Sequence, residues 1–204
     1  MLDSNPERIR CFVAADIAAP VRAKLCVVIE QCSHWRSDVR WVRDDGLHIT
    51  LKFLGWVEAR HLPSIKAALE QGLQGCHALR LRVRGLGAFP SWRRPRVLWA
   101  GLEGEGLSAL AAAVDKAVEA LGFESEKRPF TPHITCGRVK GMRGWPRVEE
   151  TLKVYLTEDF GESAVEAVTL YRSTLHPEGA IYTPLWTFPL GRNREGEPHD
   201  NNGC

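Results

Sequence analysis

The stretch "DGLHITLKFLG", residues 45–55, sets a histidine and a threonine two positions apart inside an apolar run. Leu47, Ile49 and Leu51 alternate with His48 and Thr50, the period of two that marks a strand with unlike faces. One face is built for a core. The other carries an ionisable ring and a hydroxyl. The same triplet returns in "PHITC", residues 132–136, where His133 and Thr135 share a face and Ile134 points away. The two histidines are 85 positions apart.

The elements around each triplet also recur in order. "RCFVAADI" reads as a buried strand, and Pro20 opens a helix running to about Ser33. A short strand over Val39 to Arg43 follows, then the His48 strand to Trp56, the helix "HLPSIKAALEQGL", and the alternating strand "LRLRVRGL" that turns at "GAFPSWRRP". In the second half "PRVLWAGL" is a strand, "LSALAAAVDKAVEALG" a helix ended by Gly122, "PHITCGRV" a strand, "WPRVEETLKVYL" a helix and "AVEAVTLYRSTL" a strand. A last strand, "IYTPLWTFPL", closes the chain. Little residue identity accompanies the repeat outside the two triplets, so it is one of element order. The expected organisation is a single domain over residues 1–190, with halves over 8–94 and 95–190. A tail over 191–204 is too polar to bury and is expected to be disordered.

Length and composition agree with one sizeable domain. The chain has 204 residues, of which 44% are hydrophobic and 25% charged, and no apolar run reaches the roughly 18 residues of a membrane helix. "MLDSNPERIR" has neither the basic start nor the apolar stretch of an export signal, so a cytoplasmic protein is expected. The six cysteines form no C-x-x-C pair and no zinc spacing; reduced thiols, most of them buried, are expected. Net charge is only +2, yet Arg80, Arg82, Arg84, Arg93, Arg94 and Arg96 cluster with Trp92 and Trp99. That mixture suits phosphates and bases, and equally a solvated strand and loop.

If a pseudo-two-fold axis relates the halves, the two polar pairs face one another across a shared cleft. Such a cleft suits phosphoryl transfer. In-line attack on a phosphodiester needs a base on the entering oxygen and an acid on the leaving oxygen, at opposite sides of phosphorus. Histidine can fill either role near neutral pH, and threonine hydroxyls can donate to the non-bridging oxygens. This chemistry requires no metal or other cofactor. The remaining histidines, His34, His61, His77, His176 and His199, lack the context and read as surface residues.

Both triplets, their contexts "HITLKFLG" and "PHITCGR", the segment "GAFPSWRRPRVLWAGL", and "LYRSTL" followed by "GAIYTPL" resemble the RNA 2′,3′-cyclic phosphodiesterase family, also described as 2′-5′ RNA ligases, within the two-histidine phosphoesterase superfamily. The resemblance runs from about Ile9 to Leu190. It implies a bilobal α+β fold, with an antiparallel sheet and helices in each lobe and a central cleft. It also implies metal-free hydrolysis of a ribose 2′,3′-cyclic phosphate to a 2′-phosphate, with 2′-5′ ligation as the reverse step. The implied partner is RNA or a nucleotide with that cyclic end; a monomer is expected and, from the composition, no membrane. Trimming of RNA 3′ ends, cleavage of 2′-5′ oligonucleotides, or RNA binding without catalysis are the alternatives.

Carried over by position, the resemblance makes His48 and His133 the acid/base pair and Thr50 and Thr135 phosphate ligands. It makes Phe53, five residues after the first histidine, a base-stacking ring, and Arg138, five after the second, a phosphate ligand. Strict alternation opposes those last two, because an odd spacing sends Phe53 into the core and Arg138 to the far surface. Gly55 and Gly137 lie near enough for a bulge to re-aim them. By the same parity Lys52 faces the cleft and Cys136 does not. Tyr171, Ser173 and Tyr182 are further candidates for the cleft wall.

Overall fold

The computed structural model of the chain describes residues 7–176 and 179–192. The export reading of the first residues, most of the polar tail, His199 and Cys204 lie outside the described residues. The strands are β1 (Arg8–Ala15), β2 (Val39–Trp41), β3 (Ile49–Glu58), β4 (Leu79–Phe89), β5 (Val97–Glu103), β6 (His133–Val139), β7 (Asp159–Val165), β8 (Ala167–His176) and β9 (Gly179–Pro189). Helices α1 (Ala19–Ser33), α2 (Leu62–Gly72), α3 (Leu107–Glu119) and α4 (Trp145–Lys153) separate them. Three of the four carry proline in their first turn, where the missing N–H costs nothing and φ is already helical. None of the described helices is long and apolar enough to cross a membrane.

Every strand pairing is antiparallel, in the order β7-β4-β5-β6-β3-β1-β8-β9, with β2 added on β6. The two expected sheets therefore meet as one continuous path. Their junction is narrow: β3 and β6 share one pair, Ile49 with Ile134, both completely buried. Each side of that junction draws on both ends of the chain, since β4 leaves the first half to pair with β5, and β8 and β9 return to β1. Helices cross as well. α1 follows β1 yet packs on β7 and α4, and α3 follows β5 yet packs on β3 and α2. The core between sheet and helices is apolar, with Leu25, Ile65, Leu69, Leu98, Leu107 and Phe160 among its largest fully buried side chains. Strand β7 has no counterpart among the elements expected from sequence, because "DFGESAV" has no marked apolar period, although Phe160, Ser163 and Val165 are buried on its inner side.

Alternation in the triplet strands slips at one place each. Along β3, Thr50 pairs with Ala14 and Lys52 with Val13, so Leu51 has no partner; a second slip leaves Leu54 unpaired. Along β6, Thr135 pairs with Trp99 and Gly137 with Leu98, leaving Cys136 out. Each first bulge falls on the third residue after the histidine. One extra residue reverses the facing of everything beyond it. Cross-strand partners share a face, so Phe53 follows Phe12 to the side of Thr50, and Arg138 follows Val97 to the side of Thr135. Two glycines belong to this geometry. Gly55 adopts φ +71° beside the Leu54 bulge, and a Cβ on Gly137 would stand 3.0 Å from Trp41 of β2.

The same slip corrects the reading of Lys52. It pairs with Val13, whose side chain is core, and is only 7% exposed. Its ammonium donates to the Asp115 carboxylate on α3 and to the Glu124 carbonyl, while Asp115 also accepts from the Glu126 amide. The buried charge is thereby paired and hydrogen-bonded, and it ties β3 to the segment leading into His133. Removing one partner of such a pair strands the other, so Lys52→Met is expected to lower stability by about 3 kcal/mol in urea unfolding. Adding Asp115→Leu should recover a large part of that loss. A double variant as unstable as the sum of the singles would show that the pair is not coupled.

Candidate active site

Extending the Ile49–Ile134 pair by one residue on either side sets His48 opposite Thr135 and Thr50 opposite His133. All four side chains lie on the sheet face away from the core. The two rings stand diagonally, with backbones roughly 7–8 Å apart on ordinary antiparallel spacing. Beyond that pair the strands part, and a cleft of about 590 Å³ opens over His48, Thr50, Phe53, Thr135 and Arg138. His133 flanks this cleft on the strand of Thr135 and is not among its lining residues.

Each ring is held through the backbone carbonyl two residues before it. His133 Nδ1–H donates to the Thr131 carbonyl at 2.8 Å. His48 donates to the Gly46 backbone, and its Nε2 accepts the Thr50 hydroxyl at 3.1 Å. Both neutral rings thus keep Nε2 as the acceptor, because a carbonyl can only take the Nδ1 proton. Gly46 is delivered by a tight turn over Asp44–Gly46, whose Asp44 carbonyl takes a hydrogen bond from Arg22 of α1 at 2.7 Å.

The surroundings of the two rings differ. His48 lies 4.9 Å from the Phe12 ring, 5.2 Å edge-on from Tyr182 and 6.4 Å from Tyr171. His133 meets one aromatic, Phe89, edge-on at 5.3 Å. Desolvation among these rings lowers the His48 pKa to about 4; Arg22 and Arg138 push the same way, against the Gly46 hydrogen bond and Asp16. The neighbouring phenols are driven upward by burial, Tyr171 to about 12, with its hydroxyl donating to Asp16 at 2.9 Å.

Phe53 is 59% exposed and tilts toward Phe12 at 6.2 Å. Arg138 is exposed and faces Arg40 directly across the β2–β6 ladder. Arg10, Arg40, Arg43, Arg138 and Lys140 line the cleft against one carboxylate, Asp45, which pairs with Arg43 at 3.6 Å. A nearly neutral chain has concentrated its positive field where an anion would enter. These are not the arginines singled out by density in the sequence. Arg80, Arg82, Arg84, Arg93, Arg94 and Arg96 are exposed and none lines the cleft; Arg82 pairs with Asp159 and Glu162 at 3.5 and 3.6 Å. Ser173 and Tyr182 do line it, as does His176, which carries no motif. Phe12, the ring nearest His48, reads from sequence only as core. The register that pairs it with both Phe53 and Tyr171 is the sole signal of its place.

Cys11, Cys32 and Cys136 are buried and Cys26 and Cys76 half-buried, all unbridged, and burial raises Cys11 and Cys32 to about 11 and Cys136 to about 12.

The chain matches the family model of the 2′-5′ RNA ligase superfamily over residues 22–176. It is similar to a protein of Archaeoglobus fulgidus named RNA 2′,3′-cyclic phosphodiesterase, 38% identical over 88% of this chain and 99% of that one. A Methanothermobacter thermautotrophicus protein of the same name is 34% identical over 90% and 100%. Among solved structures, a Thermus thermophilus protein superposes with a TM-score of 0.76 at 33% identity, covering 91% of this chain and all of that one. Escherichia coli LigT complexed with 3′-AMP superposes with a TM-score of 0.71 at 28% identity, covering 90% and 99%.

A histidine held neutral by its surroundings leaves a thermodynamic trace. In the unfolded chain it takes a proton near pH 6.5, in the folded protein only near 4. Its contribution to stability is complete above the higher value and is lost as pH falls toward the lower one, by at most about 3 kcal/mol. Between pH 7 and 4.5 the wild type should therefore lose about 2 kcal/mol more than His48→Gln in paired urea titrations. Parallel losses in the two proteins would mean that His48 is not desolvated.

Proposed function

The chain belongs to the 2′-5′ RNA ligase superfamily, and from that premise we propose that it hydrolyses the 2′,3′-cyclic phosphodiester of RNA or a nucleotide to a 2′-phosphomonoester. The observation that carries this reading is the diagonal placement of His48 and His133 on one face at the pair that joins the two sheet halves, with a threonine beside each ring. Phosphorus placed between the rings has one on its entering side and one on its leaving side, as in-line displacement requires.

His48 is the base. Its low pKa keeps the ring neutral at physiological pH, and its Nε2 is the acceptor that can draw a proton from water as that water attacks phosphorus. His133 is the acid. The P–O3′ bond breaks as its ring delivers a proton to the 3′-oxygen, and the phosphate stays on the 2′-oxygen. When substrate binds, the Thr50 hydroxyl turns from His48 Nε2 to a non-bridging oxygen, which frees Nε2 for the water; Thr135 and the Arg138 guanidinium join it on those oxygens, where the developing charge resides. Phe53, exposed at the cleft and on the same face as Thr50, stacks the terminal base.

Replacing either histidine with alanine should lower kcat by about 10²- to 10⁴-fold on a mononucleotide 2′,3′-cyclic phosphate, with circular dichroism unchanged. Wild-type behaviour in either variant removes that ring from the reaction. The pH profile separates the roles. kcat/KM reports the free enzyme, so its acid limb should lie near pH 4, where His48 becomes protonated and can no longer accept. Bound phosphate favours the imidazolium, so the acid limb of kcat should sit at higher pH than that of kcat/KM. A kcat/KM that already falls between pH 7 and 6 would assign the base to another group.

A further inference from the structure

Strand β3 carries a second aromatic ring on the cleft face, because the Leu54 bulge reverses the facing that the Leu51 bulge had changed. Trp56 pairs with Arg10 of β1, as Phe53 pairs with Phe12, and positions 10 and 12 share a face. That face is the one over the cleft, because Arg10 lines it and Arg10 also pairs with Ser173, another lining residue. Trp56 is 58% exposed, almost the same as Phe53 at 59%, although tryptophan is among the side chains with most to gain from burial. No ring contact within the described residues covers it. Moving outward from His48, the two strands therefore present Phe53 beside Phe12, and then Trp56 beside Arg10. Arg10 makes no ion pair among the described residues, and its charge reaches into the cleft as far as Tyr182. The row ends at Arg8, whose cross-strand partner is the carboxylate Glu58.

We propose that Trp56 and Arg10 form a second nucleotide subsite, which takes the base and linking phosphate immediately 5′ of the cyclic end and makes an RNA strand, not a mononucleotide, the better substrate. The proposal rests on the phosphodiesterase reading above. Chemistry dictates the direction: a ribose whose 2′- and 3′-oxygens are closed on one phosphorus can be extended only through its 5′-oxygen. With the terminal base on Phe53, the next phosphate leaves toward Arg10 and the next base toward Trp56. The spacing also fits. Partners two residues apart on β1 lie roughly 7 Å apart, about twice the 3.4 Å rise of a stacked strand, so each ring serves one splayed base. One aromatic followed by a second with a cation at its side is the composition of a single-strand platform, whose stacking tolerates any base. An apolar protein partner would have no use for the guanidinium beside Trp56.

The test compares adenosine 2′,3′-cyclic phosphate with the dinucleotide ApA bearing the same cyclic end, as the ratio of their kcat/KM values. In the wild type the dinucleotide should be favoured. In Trp56→Ala that ratio should fall roughly 5- to 150-fold, chiefly through KM for the dinucleotide. Trp56→Phe, which keeps a π-face, should restore most of it. Phe53→Ala should lower both substrates together. Arg10→Gln should weaken the dependence of dinucleotide KM on salt, by about one in the logarithmic slope. An unchanged ratio in Trp56→Ala overturns the subsite, and so does a wild-type dimer in sedimentation that Trp56→Ala dissociates while the ratio holds. Turnover of neither substrate by the wild type sinks the phosphodiesterase reading and takes the subsite with it, so the two failures are distinct.

Discussion

One backbone pairing organises this molecule. Ile49 and Ile134, both wholly buried, form the sole bridge among the described residues between the two halves of a nine-stranded sheet. Their burial directs the residues on either side of them to the opposite face, so a hydrophobic requirement at two isoleucines positions four polar side chains. The narrowness of the contact matters as much as its register. A longer ladder would have closed the sheet over its own polar face, whereas a single pair lets the strands part and leaves a cleft. Helices α1 and α3 and strands β4, β8 and β9 cross between the halves, and these crossings hold together a junction that its own hydrogen bonds could not.

Bulges then decide which side chains reach that cleft. A strand can present only every second residue to one face, and the spacing of five between histidine and Phe53 or Arg138 breaks that rule. One unpaired residue, Leu51 in β3 and Cys136 in β6, restores it at the same offset in both strands. The gain on the cleft side has a counterpart on the other. Lys52 is turned inward, and its charge is accommodated by Asp115 and the Glu124 carbonyl, which tether the approach to His133. Polar geometry on one face of the sheet is thus bound to an ion pair under the other.

Symmetry of the backbone does not extend to the electrostatics. Both rings hydrogen-bond to the carbonyl two residues earlier, yet three aromatic rings crowd His48 and one touches His133. Two chemically identical side chains on equivalent strands are given unlike surroundings, and burial among its rings holds His48 in the neutral form. The cations gathered around them add an attraction for phosphate that the chain's net charge conceals.

Much of this was legible in the sequence because it is local. Alternation around each triplet assigns His48, Thr50, His133 and Thr135 to polar faces, and the repeated element order implies that the two faces come together. Helix starts are equally local, marked by Pro20, Pro63 and Pro146. What sequence could not supply is register. Whether Leu51 or Cys136 is skipped depends on the pairing offered by β1 and β5, chains of contacts distant in sequence, and so the positions of Phe53, Arg138 and Lys52 were decided only on folding. Phe12 shows the same limit, since an apolar residue within a buried strand looks identical whether it fills a core or walls a catalytic ring. Density of charge along the chain misled for that reason too: the arginines of residues 80–96 are neighbours in sequence, while those of the cleft, at 10, 40, 43 and 138, come together only because β2, β6, β3 and β1 lie side by side in that order.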